Sequence, residues 1–145
     1  MVDKDWCPCV FEGCEDLTEF DIYSSAYLAN TGSGDPTLTF GLPQPVVDKN
    51  GDDLNIDKLK VSLKACDNDD YIDKIEVYKI DNTGAYNKML EHTTDIKTTG
   101  EHDIDISGSI GSDYKKIIVV IYTKTTTNNG LAFGGVALGS YEIFS

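Results

Sequence analysis

Apolar and polar residues alternate along much of this chain, most cleanly from Leu59 to Ala65. There Leu59, Val61, Leu63 and Ala65 are apolar, while Lys60, Ser62 and Lys64 are polar. Successive side chains of a strand point to opposite faces, so a period of two predicts a strand with one face buried. An acidic turn, Cys66-Asp67-Asn68-Asp69-Asp70, hands over to a second β-rich run ending at Ile80. Upstream, Phe20, Ile22, Ser24, Ala26 and Leu28 fall on one face of what reads as a first long strand, with Glu19, Asp21, Tyr23 and Tyr27 opposite. A turn cluster from Thr31 to Pro36 precedes a short strand, Thr37 to Phe40. Pro43 and Pro45 bar a central strand after it. Asp48 to Asp53 is a turn, and Leu54 and Ile56 lead into the Leu59 strand.

Downstream, Asn82-Thr83-Gly84 is a turn, and residues 86–93 fit either a short strand or a helical turn. His102 to Ser107 alternates again. Ile117 to Tyr122 is apolar on both faces, which predicts a central strand between two layers. Thr123 to Gly130 reads as a polar hairpin loop, and the last strand runs from Leu131 to Phe144, with Gly134, Gly135 and Gly139 marking bulges or close packing. Roughly eight to ten short strands, with turn signals every 8–12 residues, predict an all-β fold. The expected architecture is a single β-sandwich over residues 17–145, with jelly-roll topology the favoured form. Residues 1–16 differ. They carry Cys7, Cys9, Cys14 and the single Trp, Trp6, without a clear period, and read as an irregular Cys-rich arm or stapled cap.

At 145 residues the chain is most simply one domain. Its 25 acidic residues against 12 basic ones give a net charge of −13, and every basic residue is Lys. Without Arg the bidentate forks that read guanine and grip phosphate are missing, and an acidic surface repels nucleic acid and anionic membranes. The longest apolar run, Ile117 to Tyr122, is far short of the ~20 residues that span a bilayer, so no membrane insertion is expected. Met1-Val-Asp-Lys-Asp lacks the basic start and apolar core of a secretory leader. The expectation is a product made in the cytoplasm, which stays there or ends in a virion or an extracellular assembly.

Candidate chemistry is sparse. Asp67, Asp69, Asp70 and Asp73 concentrate oxygen ligands at a strand end, where Ca²⁺ would find a cradle, although a solvated turn is the weightier reading. Asp48, Asn50 and Asp52 mimic the opening of a calcium loop, but Asp53 and Leu59 stand where Gly and an acid belong. Cys7, Cys9, Cys14 and Cys66 leave disulfides, buried thiols or a metal site open, with Cys66 the expected partner of the N-terminal segment. His92 and His102 sit in no nucleophile or metal motif, and Asp103 and Asp105 read as outward, solvated carboxylates, so no enzyme activity is expected. Trp6, Tyr23 and Tyr27 are candidates for stacking on a sugar or burying against a neighbouring subunit.

The order of an alternating strand, "IEVYKI", "TTGEHDIDIS", "YKKIIVVIYT" and a closing "VALGSYEIF" resembles the non-catalytic jelly-roll modules of carbohydrate-active enzymes. Similar modules occur in phage tail and capsid-decoration proteins. The likeness covers residues 55–145. Such modules usually sit in long chains, whereas this one stands nearly alone, so the first expectation is a structural subunit of a virion (capsid or decoration) or surface filament. It would act through homo-oligomeric or other assembly contacts. The second is a carbohydrate-binding module that takes glycans and holds a structural Ca²⁺.

Overall fold

A computed structural model of the chain describes residues 2–15, 20–22, 28–30, 37–42, 56–66, 68–110, 114–125 and 131–143. Its elements are β1 (Val2–Pro8), β2 (Val10–Glu15), β3 (Phe20–Ile22), β4 (Leu28–Asn30), β5 (Thr37–Leu42), β6 (Ile56–Ala65), β7 (Tyr71–Ile80), β8 (Tyr86–His92), β9 (Gly100–Ile110), β10 (Lys116–Lys124) and β11 (Ala132–Ile143). A four-stranded sheet in the order β1-β11-β6-β9 faces a five-stranded sheet in the order β2-β5-β10-β7-β8. Their neighbouring strands pair antiparallel.

The alternation does what it promised in β6. Leu59, Val61 and Leu63 are buried, while Lys58 and Lys60 reach outward to Asp105 and Glu101 on β9. Opposite them, β10 buries Ile117, Val119 and Ile121, and β7 buries Ile72, Ile75 and Val77. Leu38 and Phe40 of β5, Ile104, Ile106 and Ile110 of β9, and Val136 and Leu138 of β11 complete the core between the sheets. Burial of apolar surface between the two layers is the main force that holds such a sandwich closed.

Several connections differ from the sequence reading. β10 and β11 lie in different sheets, so they do not form the hairpin expected from the sequence. β6 and β7 are likewise separated, and the acidic turn bridges the two layers. The first long strand is two short ones: Phe20 pairs with Asn30 and Ile22 with Leu28, a two-stranded sheet of its own. Residues 86–92 are a strand, and β7–β8 is a true hairpin. Its turn is closed by Asp81, whose Oδ1 accepts hydrogen bonds from Thr83 N (2.8 Å), Thr83 Oγ1 (2.5 Å) and Ala85 N (3.1 Å). Those bonds to its charged form hold the Asp81 carboxyl below its ordinary range. Gly84 at φ +90° supplies the left-handed step this turn needs.

Residues 2–15, in the segment expected as an irregular arm, form one edge strand of each sheet. β1 pairs with β11 and β2 with β5, and Cys9 N donates to Val136 O (2.8 Å) as the chain passes from one sheet to the other. Backbone ladders do not require alternating side chains, which is why the pattern was silent here. The bulge expected in β11 is present, with the register shifting on both sides of Phe133. Gly135 next to it has φ +149°, a conformation that L side chains rarely adopt. Gly135→Ala is expected to destabilise the fold by about 1 kcal/mol or more through backbone strain alone, read as a lower denaturant midpoint at unchanged slope.

Candidate functional site

The inward face of β7 and β10 is spent on the core, so the outward face is where their remaining side chains stand. Along β10 this face carries Ile118, Val120 and Tyr122, which pair with Tyr78, Glu76 and Lys74 of β7. β8 adds Lys88 opposite Tyr78 and Tyr86 opposite Ile80, on the far side of a bulge after Val77. Ile118 and Val120 are only half-buried, so the strand expected to be covered by two layers is covered on one. The result is a sheet face bearing Tyr78, Tyr86 and Tyr122.

At its centre sits Glu76, a carboxylate only 4% exposed although it points away from the core. Tyr122 Oη donates to its Oε1 (2.7 Å), and Lys88 Nζ lies 2.7 Å from its Oε2. Lys74 Nζ stands 4.4 Å from the Tyr122 ring centroid, and Lys88 Nζ 5.9 Å from that of Tyr78, both cation–π contacts. Tyr78 and Tyr86 meet edge to face at 6.4 Å. Burial pushes the Glu76 carboxyl up, but the hydrogen bonds from Lys88 and Tyr122 and the charge of Lys74 together outweigh it, and it stays below the usual range. The same hydrogen bond to Glu76, helped by burial, pushes Tyr122 up to about 12. Tyr78 is raised too, by burial and by the charge of Glu76. Near neutral pH the face is therefore a fixed carboxylate held by protonated tyrosines and cationic lysines.

Tyr86 is different from its neighbours. It is 65% exposed. A tyrosine ring presents a negative quadrupole face together with a hydroxyl, and further along the same face of β8 Lys88 and Glu91 offer a donor and an acceptor, joined at 3.5 Å. An apolar ring face flanked by fixed donors and acceptors suits a ligand with C–H faces and hydroxyl edges.

The residues singled out from sequence lie elsewhere. Tyr23 and Tyr27 fall outside the described residues, as does Asp67. Trp6 is in β1, in register with Gly139, and Cys7 and Cys14 pair with Leu138 and Leu38; their side chains lie outside the described set. In the acidic turn Asp69 is exposed, Asp73 half-buried and Asp70 wholly buried, against the expectation of a solvated turn at that position. Among the described residues no three His, Cys, Asp or Glu side chains gather as a metal centre would require. Cys66 and Cys9 are half-buried thiols packed against the core, with Cys66 Sγ 4.0 Å from Thr99 Oγ1, so the expected bond from Cys66 to the N-terminal segment is not made to Cys9. The tyrosine face was missed for a simple reason. Its signal was the outward half of "IEVYKI", Glu76 and Tyr78 at i and i+2, which carries no information about Tyr86 or Tyr122.

No family model and no curated protein matches the chain. Solved structures do. The family 32 carbohydrate-binding module of Clostridium perfringens NanJ, in complex with galactose, superposes with a TM-score of 0.55 at 14% identity, covering 97% of this chain and 93% of that one. A low-affinity xylan-binding module of family 86 from Roseburia intestinalis gives 0.55 at 8% identity, over 97% and 96%. A family 32 module of a C. perfringens family 31 glycoside hydrolase gives 0.50 at 17%, over 96% and 94%. At such identities the likeness is one of fold, and the chain has the jelly-roll β-sandwich found in these carbohydrate-binding modules.

Proposed function

We propose that this protein is a non-catalytic carbohydrate-binding module that takes a glycan on the outward face of its five-stranded sheet. The observation that carries the reading is the set of tyrosines on that face, Tyr86 largely exposed and Tyr122 locked by a buried carboxylate. Tyr122 is held by its hydroxyl and Tyr78 packs edge to face against Tyr86, so the face is partly ordered before a ligand arrives and the ordering cost of stacking is reduced. Tyr86 supplies the stacking surface, and Lys88 and Glu91 hydrogen-bond hydroxyls at its edge. The fold likeness supports this reading over a virion or filament subunit, for which nothing among the described residues speaks.

Affinity electrophoresis of the whole chain through gels containing a panel of soluble neutral polysaccharides tests it. At least one polysaccharide is expected to retard the wild type. Tyr86→Ala is expected to weaken that retardation roughly 2- to 10-fold, the equivalent of about 0.5–1.5 kcal/mol of aromatic contact. Retardation by no polysaccharide, or equal retardation of Tyr86→Ala, would overturn the assignment.

A further inference from the structure

The chain has two histidines, and the fold brings both to one place. His92 ends β8, the edge of the five-stranded sheet, in register with buried Ile75. His102 lies on β9, the edge of the four-stranded sheet, in register with buried Val61. Both therefore occupy core-facing positions, but on the strands where the sandwich opens sideways to solvent, and both are half-buried. Between them lies an open pocket of about 400 Å³, roofed by the β8–β9 connection.

The connection is held at three points. Ile96 is buried and exchanges backbone hydrogen bonds with Ile72, 2.9 and 3.1 Å long. His102 Nε2 lies 2.7 Å from Thr98 O. A carbonyl only accepts, so Nε2 carries the proton and neutral His102 keeps Nδ1 as an acceptor. Lys97 Nζ stands 4.4 Å from the Tyr71 ring centroid and 3.7 Å from Asp95 Oδ2. The pocket is thus formed before any ligand arrives. His92 makes no hydrogen bond, ion pair or ring contact among the described residues, which leaves both its ring nitrogens to a ligand.

The lining selects the ligand class. Ile96 and Ile104 give an apolar floor, while His92, Lys97 and Asp95 give donors and acceptors around it. The Asp95 carboxylate in a chain of net charge −13 disfavours an anion, so uronates and phosphates are poor fits. A neutral pyranose has the matching form: a C–H face for the isoleucines and hydroxyls that both donate and accept.

We infer that this lateral pocket is a second carbohydrate site, distinct from the tyrosine face, that takes one neutral pyranose unit. The inference rests on the glycan-binding reading and adds a separate place for it. Two sites on one module bind a branched or long glycan more tightly than either alone.

Titration of the full ¹⁵N,¹³C-labelled chain with a panel of neutral methyl pyranosides, followed by NMR, tests it. At least one sugar is expected to move the His92 and His102 ring signals saturably, with a dissociation constant on the order of 1 mM, typical of so small a ligand. His92→Gln and Asp95→Asn should weaken that binding at least tenfold, while Tyr86→Ala leaves it within twofold. Histidine signals unmoved by every sugar, or moved equally by glucuronate, overturn the pocket. If polysaccharide retardation persists in that case, the glycan reading stands without it. If retardation is absent as well, both fall. Shifts centred on Tyr86 alone also overturn the pocket and leave the first site in place. The wild-type titration decides the matter even if a variant fails to fold.

Discussion

Glu76→Ala is expected to destabilise the protein by about 2–3 kcal/mol and to free the tyrosines of the sheet face. The carboxylate is 4% exposed and receives hydrogen bonds from Tyr122 and Lys88. A hydrogen bond to a charged group is worth about 1.5–3 kcal/mol when its removal leaves a partner unsatisfied. Lys88 is itself exposed and recovers most of its share from water, so the loss comes chiefly from Tyr122 and Tyr78. For a chain of this size the melting temperature should fall by roughly 4–10 °C.

The pH dependence gives the variant a signature that a simple packing loss would not. In the wild type Tyr122 is raised from 10.0 to about 12 because its hydroxyl donates to Glu76. The folded state therefore holds a proton that the unfolded state has released, and this contribution is complete below pH 10.0 and lost as pH climbs toward about 12. Glu76 itself titrates below 4.5, so its contribution is complete above that value and disappears as pH falls through the lowered one. Both Glu76→Ala and Glu76→Gln should return Tyr122 toward the ordinary tyrosine range in a tyrosinate absorbance titration. Glu76→Gln keeps an acceptor and should lose less stability than the alanine variant. An unchanged Tyr122 titration together with an unchanged denaturant midpoint would show that Glu76 does not organise this face.

Ile121→Ala carries the largest expected loss of stability, about 2–5 kcal/mol. Ile121 is fully buried on the central strand β10, between Leu38 of β5 and Ile75 of β7, both also inaccessible to solvent. Its neighbours belong to a ladder on each side and cannot collapse to fill the space, so the cost of a cavity adds to the lost transfer energy. Ile118, three residues earlier on the same strand, points the other way and is only half-buried. Ile118→Ala should cost less than half as much. Urea denaturation of the pair measures the inward and outward faces of one strand, and equal losses would mean that the outward face is covered as deeply as the core.

The same strand shows how far a local pattern reaches. "KIIVVIYTK" announced a strand, and its apolar run announced a central one, because only a strand flanked on both sides tolerates so few polar residues. The Lys74-Ile75-Glu76-Val77-Tyr78 alternation told which residues of β7 face inward. Neither said that Glu76 would be buried on the outward side. That follows from Tyr122 lying 46 residues away in sequence and one ladder away in space, with Lys88 arriving from β8. Asp70 makes the same point: its turn composition suggested solvent, and its place between the two sheets buries it.

Period-two patterning was enough to establish that the chain is all-β, about where β5, β10 and β11 begin and end, and which residues of β6, β7 and β10 share a face. Side-chain direction along a strand is a local property, so neighbours in the chain reveal it. Strand partners are not local. Whether β10 leads back to its neighbour or crosses the sandwich, whether residues 2–15 hang free or edge both sheets, and whether His92 and His102 ever meet depend on pairings between distant segments. Such pairings are chosen by how all the apolar faces are buried together, and only the assembled sandwich makes that choice.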